Sequence, residues 1–392
     1  MTDARRLAGD ALAAALRDSR ARTWSLVDDL TDAQWRPALQ PGVNPIAWEL
    51  AHLAWFAEFW TLRGPHDRDA EGHARAAHPA CFVAPDAHFD SARLAHAARW
   101  STPMPSRADL ASMLADQLDA CIDALPRGDD DDALYFHRLA LMHEDMHGEA
   151  FCWMRAALAH PAPSGIAVSR VPPSRALALR GGDVELGSRP GSAGFAFDNE
   201  RPGHAVRLHD FEIDSAPLSA AAYLRFVEAG GYGDARWWPA EAGAWRARSG
   251  RSHPERWRRD ARGLWQMHWF DQWRPLDPES PAMHLSAYEA EAYCRWAGRR
   301  LPSAAEWEHA ARTEPTFDWG ASVWEWTADA YTPYPGFAPG PYREYSEPWF
   351  GNHRELRGGA FATHARLHDA RYRNFFEPQR TDIFAGLRTA AL

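Results

Sequence analysis

Apolar residues recur at helical spacing in four stretches of the first 160 residues. Leu7, Leu12, Leu16, Trp24, Leu26, Val27 and Leu30 mark a first helix within residues 3–30, with Thr31-Asp32 as a cap for the turn carrying Trp35. Trp48, His52, Trp55, Phe56 and Phe59, three and four apart, mark a second over about 46–63. Asn44 is its expected cap and Pro45 its first helical residue. Leu110, Met113, Leu114, Leu118, Ile122 and Leu125 mark a third over 107–125, and a fourth covers about 132–159. The acidic run 129–132 suits a solvated turn at that helix's N-terminus, where the helix dipole favours carboxylates. Residues 64–106 are punctuated by Pro65, Pro79, Pro85, Pro103 and Pro105 and read as loop. Four long helices joined by loops predict a four-helix bundle.

The pattern then changes. Residues 160–176 are rich in Pro, Ser and Ala without periodicity and read as a linker, giving a bundle over 1–165 and a second domain over 177–392. In the second domain, Gly181-Gly182 and Gly187 bracket a short strand, and residues 198–214 alternate as a strand through His204-Ala205-Val206-Arg207-Leu208. Helical patterns return at 219–229 and 286–297, and the remainder is rich in Gly, Pro and Trp. The expected class is α+β: a helical bundle followed by a domain in which irregular structure dominates.

The fourth helix carries the chemistry. His143 and His147 stand four apart, on one face, where both imidazoles reach a single ion. A histidine pair at this spacing is also a common feature of ordinary cores. His143-Glu144-Asp145-Met146-His147 fits the H-E-x-x-H pattern of zinc peptidases, with Glu144 as general base. The extended form of that pattern fails at Ala150 and Trp153, and no Asp or Glu follows Glu149 until Asp183. A third ligand must come from elsewhere. His52, on an otherwise apolar helix face, is the candidate, and Glu49 and Glu149 are candidate acceptors behind the ligands.

Composition narrows the class. A net charge of -10 argues against a nucleic-acid surface. The 20 Trp therefore read as core and pocket walls, not as base-stacking platforms. Cys81, Cys121, Cys152 and Cys294 are far apart with no C-x-x-C, so neither a cysteine-rich zinc site nor a disulfide framework is expected. The chain opens on a charged, helical stretch, and no apolar run reaches bilayer length, so the expectation is a soluble, cytoplasmic protein.

A set of ordered motifs then carries a resemblance. The second half, with Gly181-Gly182-Asp183-Val184-Glu185-Leu186-Gly187, Phe211-Glu212-Ile213-Asp214, Pro281-Ala282-Met283-His284-Leu285-Ser286-Ala287-Tyr288-Glu289-Ala290, Trp296-Ala297-Gly298-Arg299-Arg300-Leu301-Pro302-Ser303-Ala304-Ala305-Glu306-Trp307-Glu308, Val323-Trp324-Glu325-Trp326-Thr327, Leu356-Arg357-Gly358-Gly359 and Phe384-Ala385-Gly386-Leu387-Arg388, resembles the formylglycine-generating-enzyme (sulfatase-modifying-factor) domain, a C-type-lectin-like fold. The first half resembles a DinB-like bundle. The combination, with one early histidine and a later H-x-x-x-H-x-E, resembles the ergothioneine-synthase type of non-haem iron enzyme.

The resemblance implies Fe(II) held by His52, His143 and His147, with positions left for O2 and a sulfur or selenium donor. It implies hercynine, the trimethylated form of histidine, bound between the two domains and joined to the chalcogen at imidazole carbon 2. Arg373, Asn374, Phe375 and Phe376 match the family's substrate-side stretch, and Tyr331 and Tyr334 lie where part of the family has a catalytic tyrosine. Met146 stands where many sulfur-using members carry Gln. Two further departures bear on the donor. The family's tight Arg-x-x-Arg, which pairs with the carboxylates of γ-glutamylcysteine, is replaced by Arg93 and Arg99, which would diverge on a helix, and the segment between Glu308 and Val323 is short. Both of these resemble the selenoneine-synthase branch, which takes a selenosugar; a thiol donor is the neighbouring alternative. A formylglycine-generating activity is disfavoured, since Cys294 is the lone cysteine of the second half. A lectin-like binding module would leave the three histidines unused.

Overall fold

The computed structural model describes residues 3–392. It divides into two compact units: residues up to Gly165 together with Ala193–Ala196, and Ile166–Ser192 with Phe197–Leu392.

The first unit is built on α1 (Gly9–Ser25), α2 (Asp32–Trp35), α3 (Ile46–Leu62), a small hairpin of β1 (His66–Arg68) and β2 (Ala74–Ala76), α4 (Asp86–Phe89), α5 (Arg107–Asp123) and α6 (Asp131–Ala157). α1, α3, α5 and α6 are the four long helices; α3 packs on both α5 and α6, and α1 on α6. Their starts follow side-chain chemistry. Thr31 and Gln34 form a reciprocal capping box for α2, Ser106 accepts from the Asp109 amide, and Asp130 from the Ala133 amide.

α3 departs from the expected pattern in two ways. Its buried residues run without a break from Ile46 to Trp60, so it has no solvent face and forms the middle of the unit. Its N-cap is Pro45, which makes no capping bond, and Asn44 is not a cap. The Asn44 side chain instead joins Glu49 and Arg99. The leucine core lies between α1, α5 and α6, where Leu12, Leu16, Leu118, Leu134 and Leu141 meet.

The second unit is a set of small sheets tied by irregular chain. β3 (Ala176–Leu179) pairs antiparallel with β6 (Phe211–Asp214), and β4 (Gly182–Leu186) with β5 (His204–Leu208). The expected single strand over 198–214 is therefore two strands turning at His209-Asp210, preceded by a 3-10 turn at Asp198–Glu200. Helices α7 (Ala220–Glu228) and α9 (Ala287–Trp296) fall where the periodicity places them; α8 (Ala240–Ser249) and α10 (Ala304–Thr313) are additional. α10 is started by a capping box of Ser303 and Glu306. The stretch expected to be irregular also holds a meander of β7 (Trp257–Arg259), β8 (Trp265–Trp269) and β9 (Gln272–Pro275).

The central sheet has the order β12-β11-β10-β13, with β10 (Trp324–Ala330), β11 (Arg354–Gly358), β12 (Asn374–Phe376) and β13 (Ala385–Gly386), the β10–β13 pair being parallel. A buried ionic framework holds it. Arg373 and Arg357 both pair with Glu355, Arg357 also with Glu308, and Arg388 with Glu325. Pairs this deep hold by geometry, and removing one partner strands the other. No helix among the described residues is long and apolar enough to cross a membrane.

Candidate metal centre

α3 and α6 place three imidazoles against one another. The ligand atoms of His52, His143 and His147 lie within 4.8 Å of one another, the one group of its kind among the described residues. The four-residue spacing on α6 stacks His143 and His147 one turn apart, and His52 faces them from the central helix α3.

Each ring is fixed from behind. The Nδ1 of His52 lies 2.7 Å from the Phe89 carbonyl, which can only accept, so Nδ1 carries the proton and Nε2 the lone pair. Trp48 stacks on the same ring at 5.1 Å and 5°, with Trp55 at 5.8 Å. The Nδ1 of His147 donates to Glu49 Oε1 at 2.5 Å, again freeing Nε2. His143 stacks on Phe56 at 3.6 Å and 6°. The Nε2 atoms of His143 and His147 are 3.2 Å apart. Two nitrogens each about 2.1 Å from one ion, about 100° apart, would be separated by about 3.2 Å. The donor set fits a divalent transition metal with positions left open.

Electrostatics favours the neutral, ligating form. Burial pushes the His52 imidazole down to about 3, and the nearby His147 adds to this. Burial likewise holds His143 well below its ordinary range, with His147 and His52 contributing. Burial alone would raise Glu49, but the charge and hydrogen bond of His147 outweigh it and hold the carboxyl at about 2. His52 is 2% exposed, while the His147 side chain is 21% exposed and Met146 beside it is half-buried. The accessible edge of the group is therefore at His147 and Met146.

Glu144 is not at this site. Both its carboxylate oxygens are bonded to Arg20, at 2.7 and 3.2 Å, and Arg20 is held in turn by the Leu114 carbonyl and Gln117. One residue past His143 is about 100° around the helix, which turns Glu144 toward α1 and α5. This arrangement removes the general base that a zinc peptidase requires. Glu144→Gln is expected to cost about 3–5 kcal/mol of stability, because it leaves Arg20 buried against a neutral partner. The folded fraction should keep its metal and turnover. Urea denaturation and turnover per folded molecule measure this; loss of turnover at unchanged stability would restore the base.

The remaining sequence candidates lie in the second unit. Tyr331 is buried and accepts from Asn199 Nδ2 at 2.8 Å, and Tyr334 accepts from Arg357 at 3.0 Å. Burial raises both phenols, Tyr334 to about 12. Phe375 stacks on Tyr331 at 4.2 Å, Arg380 lies over the Phe376 ring at 5.1 Å, and Asn374 Oδ1 accepts from the Phe375 amide. Arg373, the first residue of this stretch, is bound into the ionic framework of the sheet. Its guanidinium is buried and donates to Glu355, the Asn199 carbonyl and the Thr332 carbonyl, and it lies 4.0 Å from the Tyr334 ring.

The segment with Arg93 and Arg99 is corrected. It is no continuous helix: α4 ends at Phe89, and His96–Trp100 is a separate 3-10 turn. Arg93 pairs with Asp69 and Asp90, whereas Arg99 lies against Trp48. Sequence reasoning missed Arg99, Asn44 and the Phe89 carbonyl as supports of the histidines; Asn44-Pro45 had an alternative use as a helix start.

Comparison with known proteins follows the same division. Residues 15–150 match the DinB superfamily, and 166–323 with 316–391 match the sulfatase-modifying factor enzyme 1-like domain. The chain is similar to the hercynine oxygenase of Mycolicibacterium thermoresistibile, at 31% identity over 97% of this chain and 94% of the relative. It is similar to that of Mycobacterium tuberculosis at 30% over 97% and 98%. Similarity to the formylglycine-generating enzyme of Streptomyces coelicolor, at 27%, covers 47% of this chain and 78% of the relative.

Proposed function

We propose that this chain, which belongs to the family of the hercynine oxygenases, is an Fe(II)- and O2-dependent enzyme that replaces the hydrogen on carbon 2 of hercynine's imidazole with selenium from a selenosugar. The observation that carries the metal reading is the convergence of three imidazoles, of which His52 and His147 have Nδ1 engaged and Nε2 left to ligate. Iron held there supplies the electron transfer to O2 that a carbon–hydrogen bond and a selenol cannot undergo together unaided. The balance is one O2 consumed for one carbon–selenium bond, with one oxygen atom on selenium and the other leaving as water.

The residues of the chain do the rest. Phe89 and Glu49 hold the tautomers of His52 and His147. Phe375, half-buried in β12, offers a ring to the trimethylammonium of hercynine, a cation–π contact. The selenosugar reading rests on the arginines. A donor with two carboxylates needs a pair of free cations; Arg93 is already paired with Asp69 and Asp90, and Arg99, though without a carboxylate of its own among the described residues, has NH1 committed to Asn44 and its face to Trp48. A thiol donor forming a carbon–sulfur bond on the same site is the second reading, supported by the hercynine oxygenases themselves.

The test is anaerobic reconstitution with Fe(II), then hercynine and O2 with a selenosugar and γ-glutamylcysteine at equal concentration, read by mass spectrometry. Preferential selenium product supports the reading; preferential sulfur product moves the chain to the second. Phe375→Ala should weaken hercynine binding about fivefold, the equivalent of about 1 kcal/mol of cation–π attraction. Calorimetric titration measures it, and unchanged affinity assigns Phe375 to packing against Tyr331.

A further inference from the structure

Arg99 is tied to two of the three histidines by two separate routes. By hydrogen bonds, Arg99 NH1 donates to Asn44 Oδ1 at 2.8 Å, Asn44 Nδ2 donates to Glu49 Oε2 at 2.7 Å, and Glu49 Oε1 accepts from His147 Nδ1 at 2.5 Å. By stacking, the Arg99 guanidinium lies 4.2 Å over the Trp48 ring, and Trp48 lies parallel to His52 at 5.1 Å. Trp48 is itself pinned by its indole N–H on the His88 carbonyl at 2.7 Å.

The chemistry of the first route has a direction. A guanidinium only donates and a carboxylate only accepts, so the amide of Asn44 satisfies both in one orientation alone, oxygen to Arg99 and nitrogen to Glu49. Every bond then runs toward Glu49, which receives one donor on each oxygen. The carboxylate is fixed in rotation as well as in charge, and it fixes His147. On the second route, a flat guanidinium on one face of Trp48 and an imidazole on the indole system set the tilt of His52. Arg99 has no ion pair of its own among the described residues, and its Nε is buried without a partner. Such a placement is costly for a residue that only fills space.

We infer that Arg99 is a positioning residue of the three-histidine group, orienting His147 through Asn44 and Glu49 and His52 through Trp48. The inference rests on the reading that the three histidines hold a metal, and it assigns Arg99 to the ligands instead of to the donor.

The experiment compares the full-length metal-free protein with Arg99→Met, Arg99→Lys, Asn44→Ala and the Arg99→Met/Asn44→Ala double variant. Co(II) is titrated anaerobically against a competing chelator, and its visible absorption is recorded. Arg99→Met, which loses both routes, should weaken Co(II) about tenfold, and Asn44→Ala, which loses one, by less; both should alter the absorption bands, as loss of groups behind ligands does. The double variant should be weakened by less than the product of the two single effects, because the residues share the route through Glu49. Arg99→Lys, which keeps the charge and the bond to Asn44 but has no flat face for Trp48, should fall between. Thermal unfolding of each metal-free variant separates misfolding from positioning; if Arg99→Met does not fold, Asn44→Ala and Arg99→Lys decide. Wild-type affinity and absorption in the folded variants, with only the KM for the donor raised, would overturn the inference. Co(II) binding that survives unchanged in His52→Ala and in His143→Ala would overturn the metal reading itself.

Discussion

His52→Ala leaves a folded chain that no longer retains a metal ion at working concentrations and has no measurable hercynine turnover. Groups that merely stand behind ligands contribute about ten- to a hundredfold in metal affinity, so loss of a ligand nitrogen exceeds about a hundredfold. The substitution also empties a slot walled by Trp48 and Trp55 and leaves the Phe89 carbonyl without its donor. The metal-free variant should therefore unfold at lower denaturant, by about 2–4 kcal/mol for the void and the orphaned acceptor together. His147→Ala should lose metal equally; its ring is the more exposed, but its removal strands the buried Glu49 carboxylate, so its stability cost should be no smaller. Metal content after gel filtration, urea midpoints and turnover measure the three effects. Full iron content and turnover in His52→Ala would remove His52 from the site.

The metal-free protein loses stability steeply on acidification. Burial lowers His52 from 6.5 to about 3 and moves His143 the same way. Between these values the unfolded chain binds a proton that the folded chain refuses, so stability rises with pH across the window and is lost as pH falls from about 6.5 toward 3. Each such histidine contributes a slope of about 1.4 kcal/mol per pH unit, and His52 alone costs about 2 kcal/mol by pH 5. Below about 3 the folded form of His52 is protonated as well, and its slope vanishes. His52→Ala is therefore less stable than wild type at pH 7 but flatter between pH 7 and 5. Urea midpoints of both proteins at the two pH values check this; parallel slopes would show that His52 takes up its proton without unfolding.

The helical half of the site was legible because it is periodic. A spacing of four puts His143 and His147 on one face whatever the surroundings, and His52 stands out as a polar residue in an aromatic run. The partners behind them were not legible in the same way. Arg99 sits 55 residues from Asn44 in a short turn, and no local pattern brings the two together. Asn44 itself was read by its commonest local use, before a proline at a helix start, whereas a tertiary demand took its amide. Arg373 illustrates the same limit: its stretch is recognisable, but its pairing, from the residue before β12, with Glu355 of β11 is a property of the folded sheet. α10 is different, because Ser303 and Glu306 announced a capping box that lay inside a recognised motif and was read only as such.

The membership of Ala193–Ala196 in the helical unit has a consequence for synthesis. Gly194 donates its amide to Asp131 at the start of α6, the Phe195 amide donates to the Arg5 carbonyl, and the Phe195 ring meets Tyr135. These bonds join Arg5 to the first turns of α6 through a segment that ends 31 residues after Gly165. On a ribosome adding 5–20 residues per second, α6 waits roughly two to six seconds for the piece that ties its first turn. All of Ile166–Ser192 emerges in that interval. A gene cut between the helices and the sheets would therefore encode a helical fragment with a missing tie, and a gene cut after residue 196 would not.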